Sequence, residues 1–254
     1  MNQAKPKIRL YVPHAFAPAQ SLALDAGQAH YIANVMRGKP GQPVAVFNGS
    51  DGEWLAEIAH ADKKSVTLAL KHRLSPQRNS PDLWLAFAPI KNKTDLVVEK
   101  AVELGVTALL PVFTRYAVVR SVNHDKLMAH AIEAAEQCER HDIPRLQEYK
   151  DLPTLLAGWP EDRLLLYGDE TGGGTPLKTL LPTLSHKKYA LLIGPEGGFS
   201  GEEHYMLKAS PMVAPFGLGP RILRADTAAV AALACMQMWL GDWNEQPHFT
   251  AMEP

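Results

Sequence analysis

Cysteine is nearly absent from this 254-residue chain, which holds only Cys138 and Cys235. Each falls inside an apparent helix with no second ligand residue at metal spacing, so a disulfide framework and a zinc site are excluded, and both read as buried thiols. Long hydrophobic runs are missing too: none reaches the roughly 18 residues of a membrane helix. Residues 1–9 are polar and basic and lack the apolar core of a signal peptide, so the expected location is the cytoplasm. His30, His124, His130 and His141 do not fit His-Glu-x-x-His or a similar spacing, and no metal is expected. The glycines of Thr171-Gly172-Gly173-Gly174-Thr175 are not followed by Lys-Ser/Thr, which makes that stretch a flexible turn rather than a phosphate loop.

A strong charge of either sign is also lacking. The chain nets -1, with 46% hydrophobic and 21% charged residues, a balance that excludes wholesale disorder. The total conceals an asymmetry. Residues 1–76 hold nine Lys/Arg against five Asp/Glu, a net of +4, and residues 77–254 hold seventeen against twenty-two, a net of -5. A basic module on an acidic body suits docking to a polyanion, because phosphate contacts come largely from Lys and Arg. An excess this small equally suits a solvated surface.

What is present changes period along the chain. Residues 8–12, 43–48, 53–59 and 65–70 read as short strands, with Asn48-Gly49-Ser50-Asp51-Gly52 as a hairpin turn. Residues 28–36 fit one short helix that feeds the basic, glycine-rich Arg37-Gly38-Lys39-Pro40-Gly41. A small β-barrel over 1–74 is expected. Residues 75–82 are polar, contain two prolines and have no period, the composition of a linker.

Beyond it, strands alternate with helices. An apolar run at 83–90, an N-cap at Thr94, a helix over 96–104 stopped by Gly105 and a strand at 108–113 make one βαβ unit. An amphipathic helix over about 125–140 turns Leu127, Ala131, Ile132, Ala135 and Cys138 to one face and His130, Glu133, Gln137 and Arg140 away. Apolar runs at 164–167, 189–193 and 212–216 complete an α/β domain over 83–242 with a mostly parallel sheet. The helix at 227–240 is apolar almost all round, so it must be covered on more than one side, by its own domain or by a second subunit. Residues 243–254 form a tail without a pattern.

Two segments carry chemistry. The strand 191–193 runs into Gly194-Pro195-Glu196-Gly197-Gly198, and Ser200 with Glu203 then forms a capping box at a helix start. Where Cβ is absent a ligand can approach backbone N–H groups closely, although such a turn is more often only a turn. The second segment, Phe216-Gly-Leu218-Gly219-Pro220-Arg221-Ile222-Leu223-Arg224, is again a strand end and glycine turn before a helix. It places two arginines at the carboxyl edge of the sheet, where open α/β sheets bind ligands. Capping by Asp226 or Thr227 and surface salt bridges by the arginines are the alternative.

Taken together, Ile193-Gly-Pro-Glu-Gly-Gly198 and, about twenty residues on, Leu218-Gly-Pro-Arg-Ile-Leu-Arg224 with Thr227-Ala228 resemble the RsmE family of ribosomal RNA uridine-N3 methyltransferases, within the SPOUT superfamily. Val35-Met-Arg37, Phe47-Asn-Gly49 and Lys63-Lys-Ser-Val66 look like its amino-terminal PUA-like domain, and Lys100-Ala-Val-Glu-Leu-Gly105 and Ala134-Ala-Glu-Gln-Cys-Glu-Arg140 like its central helices. Asn48 stands for a usual Asp, Ala225-Asp226 for Thr-Glu, and Thr94-Asp95 for a pair such as Met-Glu.

The resemblance implies a PUA-like RNA-binding barrel, a SPOUT domain with a deep trefoil knot and a homodimer. It implies methylation of N3 of a uridine in 16S ribosomal RNA with S-adenosyl-L-methionine; an inactive RNA-binding or ribosome-assembly protein of the same fold is the alternative. Cofactor contacts fall on Gly168, Gly194, Pro195, Glu196, Gly197, Gly198, Leu218, Gly219, Ile222, Leu223, Arg224, Thr227 and Ala228, with Leu218, Ile222 and Leu223 packing on the adenine. Arg224, Arg221 and Glu196 are the catalytic candidates, Asp226 being the other possible proton acceptor. Arg9, Arg37, Lys39, Lys91, Lys93, Arg115 and Arg120 are the candidates for contacting small-subunit RNA. In the implied reaction an anionic ring nitrogen attacks a cationic sulfonium methyl, so charge disperses as the bond forms. Orientation in a dry pocket then matters more than a strong electrostatic clamp, and no metal is needed.

Overall fold

The structure, a computed structural model, describes residues 6–62, 64–186 and 188–245; most of the expected tail, 246–254, and Lys63 lie outside the described residues. These residues form two compact units, 6–79 with 135–142, and 80–134 with 143–245.

The first unit contains β1 (Ile8–Tyr11), β2 (Ser21–Ala23), α1 (Ala26–His30), β3 (Pro43–Phe47), β4 (Glu53–Ala61) and β5 (Val66–Ser75). The sheet order is β1-β3-β4-β5-β2, with β1 and β3 parallel and the other pairs antiparallel. Alternate residues, among them Ile8, Leu10, Val44, Val46, Ala56, Ile58, Val66, Leu68 and Leu70, bury into one core. β5 runs on to Ser75 because His72 and Arg73 stay paired with β4 while their side chains face solvent, and a polar strand end carries no alternation to read.

In the β3–β4 turn, Asn48 Oδ1 accepts from the Ser50 and Asp51 amides at 2.9 and 2.8 Å. Its Nδ2 donates to Asp51 Oδ2 at 2.6 Å and to the His14 carbonyl at 2.9 Å, bonds that an aspartate cannot donate. This accounts for the departure at Asn48.

Residues 28–36 do not make one helix. α1 ends at His30 and a π-helical segment, Tyr31–Val35, follows, with the Met36 amide donating to Tyr31 O at 2.9 Å. Tyr31, Val35 and Met36 remain exposed there, and Arg37 adopts a φ of +52°.

Arg9 is an internal brace rather than a surface cation. Its Nε donates to Glu53 at 2.6 Å, its terminal nitrogens donate to the Ala135 and Arg140 carbonyls at 2.8 Å, and its guanidinium lies 3.9 Å from the Phe47 ring centroid.

Further elements are β6 (Leu83–Phe87), α2 (Thr94–Glu103), β7 (Ala108–Phe113), α3 (His124–Gln137), β8 (Arg145–Leu146), β9 (Lys150–Asp151), α4 (Leu152–Ala157), β10 (Arg163–Gly168), β11 (Thr175–Pro176), α5 (Leu177–Leu180), β12 (Lys188–Ile193), α6 (Gly201–Ala209), β13 (Val213–Gly217) and α7 (Ala225–Leu240). The second sheet has the order β11-β13-β10-β12-β6-β7-β8, with β9 also on β7, and every pairing is parallel. Its central strands are buried on both faces, which is why β6, β10 and β12 read as continuous apolar runs.

Two helix starts differ in how they are capped. Ser200 and Glu203 make the expected capping box on α6. On α2 the cap position belongs to Lys93, and the Thr94 hydroxyl turns back to Ile90, donating to its carbonyl at 2.8 Å and accepting its amide at 2.9 Å. α7 buries Ala225, Ala229, Ala232, Leu233, Met236 and Gln237 but leaves Val230, Met238 and Trp239 exposed, so in one chain it is covered on one side only.

Candidate active site

Three parallel neighbours, β13, β10 and β12, end level with one another: Gly168 is paired with Phe216 on one side, and Tyr167 with Leu192 on the other. The loops that leave them begin at Asp169, Gly194 and Leu218. The sequence pairing of two glycine turns thus becomes a spatial one, at the carboxyl edge that favours ligands. Gly168 lies between the other two strand ends, where an added Cβ would sit 3.5 Å from the Phe216 ring and 3.7 Å from Ile193.

The turn after β12 is held from several sides. The Gly198 amide donates to Pro195 O at 3.0 Å, and Gly198 takes a φ of +68°. Its missing Cβ leaves room for the Glu170 carboxylate, which comes from the loop after β10. Glu170 Oε1 accepts the Phe199 amide at 2.8 Å and lies 3.3 Å from His204 Nε2 on α6. The Phe199 ring packs edge-on to Tyr167 and sits 3.0 Å from where a Gly194 Cβ would be. Glu203, buried at the start of α6, accepts the Ser200 amide through one oxygen and the Arg115 amide through the other, both at 2.8 Å. One carboxylate therefore fixes both the turn and the loop after β7.

The sequence reading missed Asp169, Glu170 and His204, because their meeting depends on strand order and no linear spacing announces it. Their ligand-type atoms lie within 4.8 Å of one another, and Asp169 Oδ2 and His204 Nδ1 have no hydrogen-bond partner among the described residues. The Tyr167 hydroxyl beside them is likewise unpartnered; burial and the nearby Asp169 and Glu170 charges push it up to about 12, so it stays protonated.

The loop after β13 is the opposite case. Gly219 takes a φ of +94° in open space, Ile222 is 92% exposed, and the Arg221 and Arg224 side chains are exposed without a partner among the described residues. In the single chain Ile222 does not line a closed apolar pocket with the half-buried Leu218 and Leu223. Arg224 is the N-cap residue of α7, with no side-chain cap bond, and its carbonyl accepts the Ala228 amide at 2.8 Å. Thr227 lies exposed in the first turn.

Asp226 is not free to act as a base. Its carboxylate pairs with Lys93 Nζ at 2.5 Å, and that bond holds its pKa below the usual carboxylate range. Glu196, exposed in the turn after β12, has no such partner among the described residues. Of the basic candidates, Lys93 is taken by Asp226, and Arg120 donates to the Thr114 and Arg115 carbonyls at 3.2 and 3.1 Å. Arg37, Lys39, Lys91 and Arg115 are exposed.

The parallel sheet with three glycine-bearing loops at one edge, and most of the small mixed sheet of the same chain, fall in stretches that match RNA methyltransferases. Residues 77–237 match the RNA methyltransferase domain family, and residues 24–71 match the RNA methyltransferase PUA domain. The chain is 33% identical over 241 residues to Ribosomal RNA small subunit methyltransferase E of Rickettsia conorii, covering 94% of this chain and 98% of that one. It is also similar to two solved structures. One is Ribosomal RNA small subunit methyltransferase E of Neisseria gonorrhoeae bound to S-adenosyl methionine, with a TM-score of 0.84, 25% identity and coverage of 93% and 99%. The other is a Legionella pneumophila structure with the cofactor SAM bound, with a TM-score of 0.82, 31% identity and coverage of 92% and 98%. The chain belongs to the ribosomal RNA small subunit methyltransferase E family.

Proposed function

We propose that the protein transfers a methyl group from S-adenosylmethionine to N3 of a uridine in 16S ribosomal RNA, as a homodimer in the cytoplasm. The observation that carries this reading is the convergence of the loops after β10, β12 and β13 on one edge of the sheet. The residues suit the cofactor: where Gly168, Gly194, Gly197 and Gly198 lack a Cβ stand Phe216, Phe199, Tyr116 and Glu170, so these glycines let the strand end and the turn pack closely and present preformed backbone at the edge, and Pro195 is buried in the turn. Gly219 and the main chain of 218–224, together with Thr227 and Ala228 in the first turn of α7, form the other wall. S-adenosylmethionine supplies an electrophilic methyl group on a sulfonium sulfur.

The remaining work falls to side chains. Arg224 and Arg221 hold the substrate's phosphate or the uracil oxygens, which carry the negative charge once N3 has lost its proton. Glu196 accepts that proton, since Asp226 is committed to Lys93. The first unit, with Arg37 and Lys39, docks the RNA together with Lys91 and Arg115, so that 1–74 binds and 83–242 reacts. The dimer draws support from the exposed Val230, Met238 and Trp239 of α7, an apolar face of the kind that a second subunit covers. A trefoil knot through the loops at this edge completes the proposed fold.

The test is transfer of radiolabelled methyl to small-subunit particles purified from cells lacking the protein, followed by mapping of the modified base. One methyl per particle on uridine N3 is expected. Stoichiometric RNA binding without transfer would sink the proposal.

A further inference from the structure

The loop after β7 presents a feature that neither the cofactor turn nor the arginines account for. Its backbone is held on both sides: the Arg115 amide is bound by buried Glu203, and the Thr114 and Arg115 carbonyls accept from Arg120. Ala117 is buried at 3% exposure and anchors the far end. Between these anchors Tyr116 is 52% exposed, with no ring partner and no hydrogen bond to its hydroxyl among the described residues. It packs closely against the Gly194–Gly198 turn, where a Cβ on Gly197 would lie 3.0 Å from Tyr116 Cβ and 3.7 Å from its Cγ. Removing water from around half of an aromatic ring is favourable, and a braced backbone has already lost the entropy that ordering would cost. Such a ring is built to be covered by something that arrives.

We propose that Tyr116 is a stacking platform for a pyrimidine base of the RNA substrate, placed beside the Gly194–Gly198 turn, with the exposed Arg115 taking an adjoining phosphate. This inference rests on the methyltransferase reading and adds to it a residue that positions the substrate. Three observations favour a base over other occupants. The ring abuts the turn assigned to the cofactor, so its occupant must lie within reach of the reacting group. A flat aromatic face stacks on unpaired bases, the form in which RNA is recognised in loops and at ends. Arg115, next in sequence, supplies the positive charge that a phosphate requires and an apolar protein partner does not. Gly197 then has a second role: a side chain there would displace the platform.

Steady-state methyl transfer to undermethylated small-subunit particles tests this, with Tyr116→Phe and Tyr116→Ala compared against the unaltered protein. Stacking of this kind predicts that Tyr116→Ala raises the KM for the particle roughly tenfold to a hundredfold, whereas Tyr116→Phe stays within about threefold. Affinity for S-adenosylmethionine, measured by calorimetry, should be the same in all three proteins. The melting temperature should shift little, since the ring is half exposed and makes no ring contact or side-chain hydrogen bond among the described residues.

Equal loss in both variants would assign the effect to the hydroxyl and overturn the stacking proposal. A parallel loss of cofactor affinity would place the ring in the cofactor pocket instead. Dissociation of an otherwise dimeric protein by Tyr116→Ala, seen in sedimentation, would identify the occupant as a second copy of the chain. If the unaltered protein transfers no methyl group, the functional reading fails and takes this inference with it; if it does and Tyr116→Ala matches it, only the stacking proposal fails.

Discussion

The loop after β12 and the loop after β13 leave the same sheet edge in contrasting states. The first is tied to its surroundings by Glu170, Glu203, Phe199 and Tyr116, and each of its glycines Gly194, Gly197 and Gly198 touches a neighbour that a side chain would displace. The second has Gly219 in open space, Ile222 almost fully exposed, and two arginines without partners among the described residues. One wall of the proposed pocket is thus preformed within a single chain. The other is free to be completed by cofactor, RNA or a second subunit. A preformed wall lowers the entropy cost of binding, while an open wall lets large substrates enter.

The strongest test of this contrast is Arg224→Ala. An exposed side chain with no partner adds little to stability, so the melting temperature should be unchanged. Methyl transfer should fall roughly a hundredfold or more if the guanidinium stabilises the substrate's negative charge. Near-normal turnover removes Arg224 from the catalytic set.

Next in size is a matched pair of glycine substitutions. Both Gly198 and Gly219 have positive φ, so alanine at either place costs about 1–2 kcal/mol of backbone strain. Only at Gly198 must Glu170 also move and release the Phe199 amide, adding about 1 kcal/mol and weakening cofactor binding. Chemical denaturation of Gly198→Ala and Gly219→Ala should separate them by that increment, and equal losses would break the comparison.

The smallest effect concerns Asp226 and Lys93, at the foot of the open loop. The Lys93 hydrogen bond lowers the pKa of Asp226 in the folded state, so its stabilisation is complete above the ordinary carboxylate range and disappears as the pH falls through and below it. Asp226→Asn should therefore cost about 0.5–1 kcal/mol near neutral pH and nothing in strong acid, with Lys93 partly solvated. If Asp226 were the proton acceptor instead, the substitution would abolish transfer at neutral pH, and the rate measurement distinguishes the two roles.

These tests also mark where sequence patterns stop being informative. The strands β6, β7, β10 and β12 were legible because burial on both faces demands unbroken apolar runs, and the capping box at Ser200 and Glu203 was legible because both partners lie within four residues. The two-residue strands β8, β9 and β11 were not, since a pair of residues has no period. Lys39 and Arg9 look alike as letters in a basic module, yet one is exposed and the other has its donors occupied by Glu53 and by carbonyls more than a hundred positions away.

By itself the sequence determined the alternation of strands and helices, the family and the identity of the glycine turns. Those properties rest on local periodicity and on motifs in which neighbouring residues carry the meaning. Only the tertiary structure decided that Glu170 and His204 brace the turn after β12, that Asp226 belongs to Lys93, and that Tyr116 stands half exposed beside Gly197. Each of these depends on strand order and on distances of a few ångströms, which the hydrophobic burial of an entire sheet sets and which no short window of residues contains.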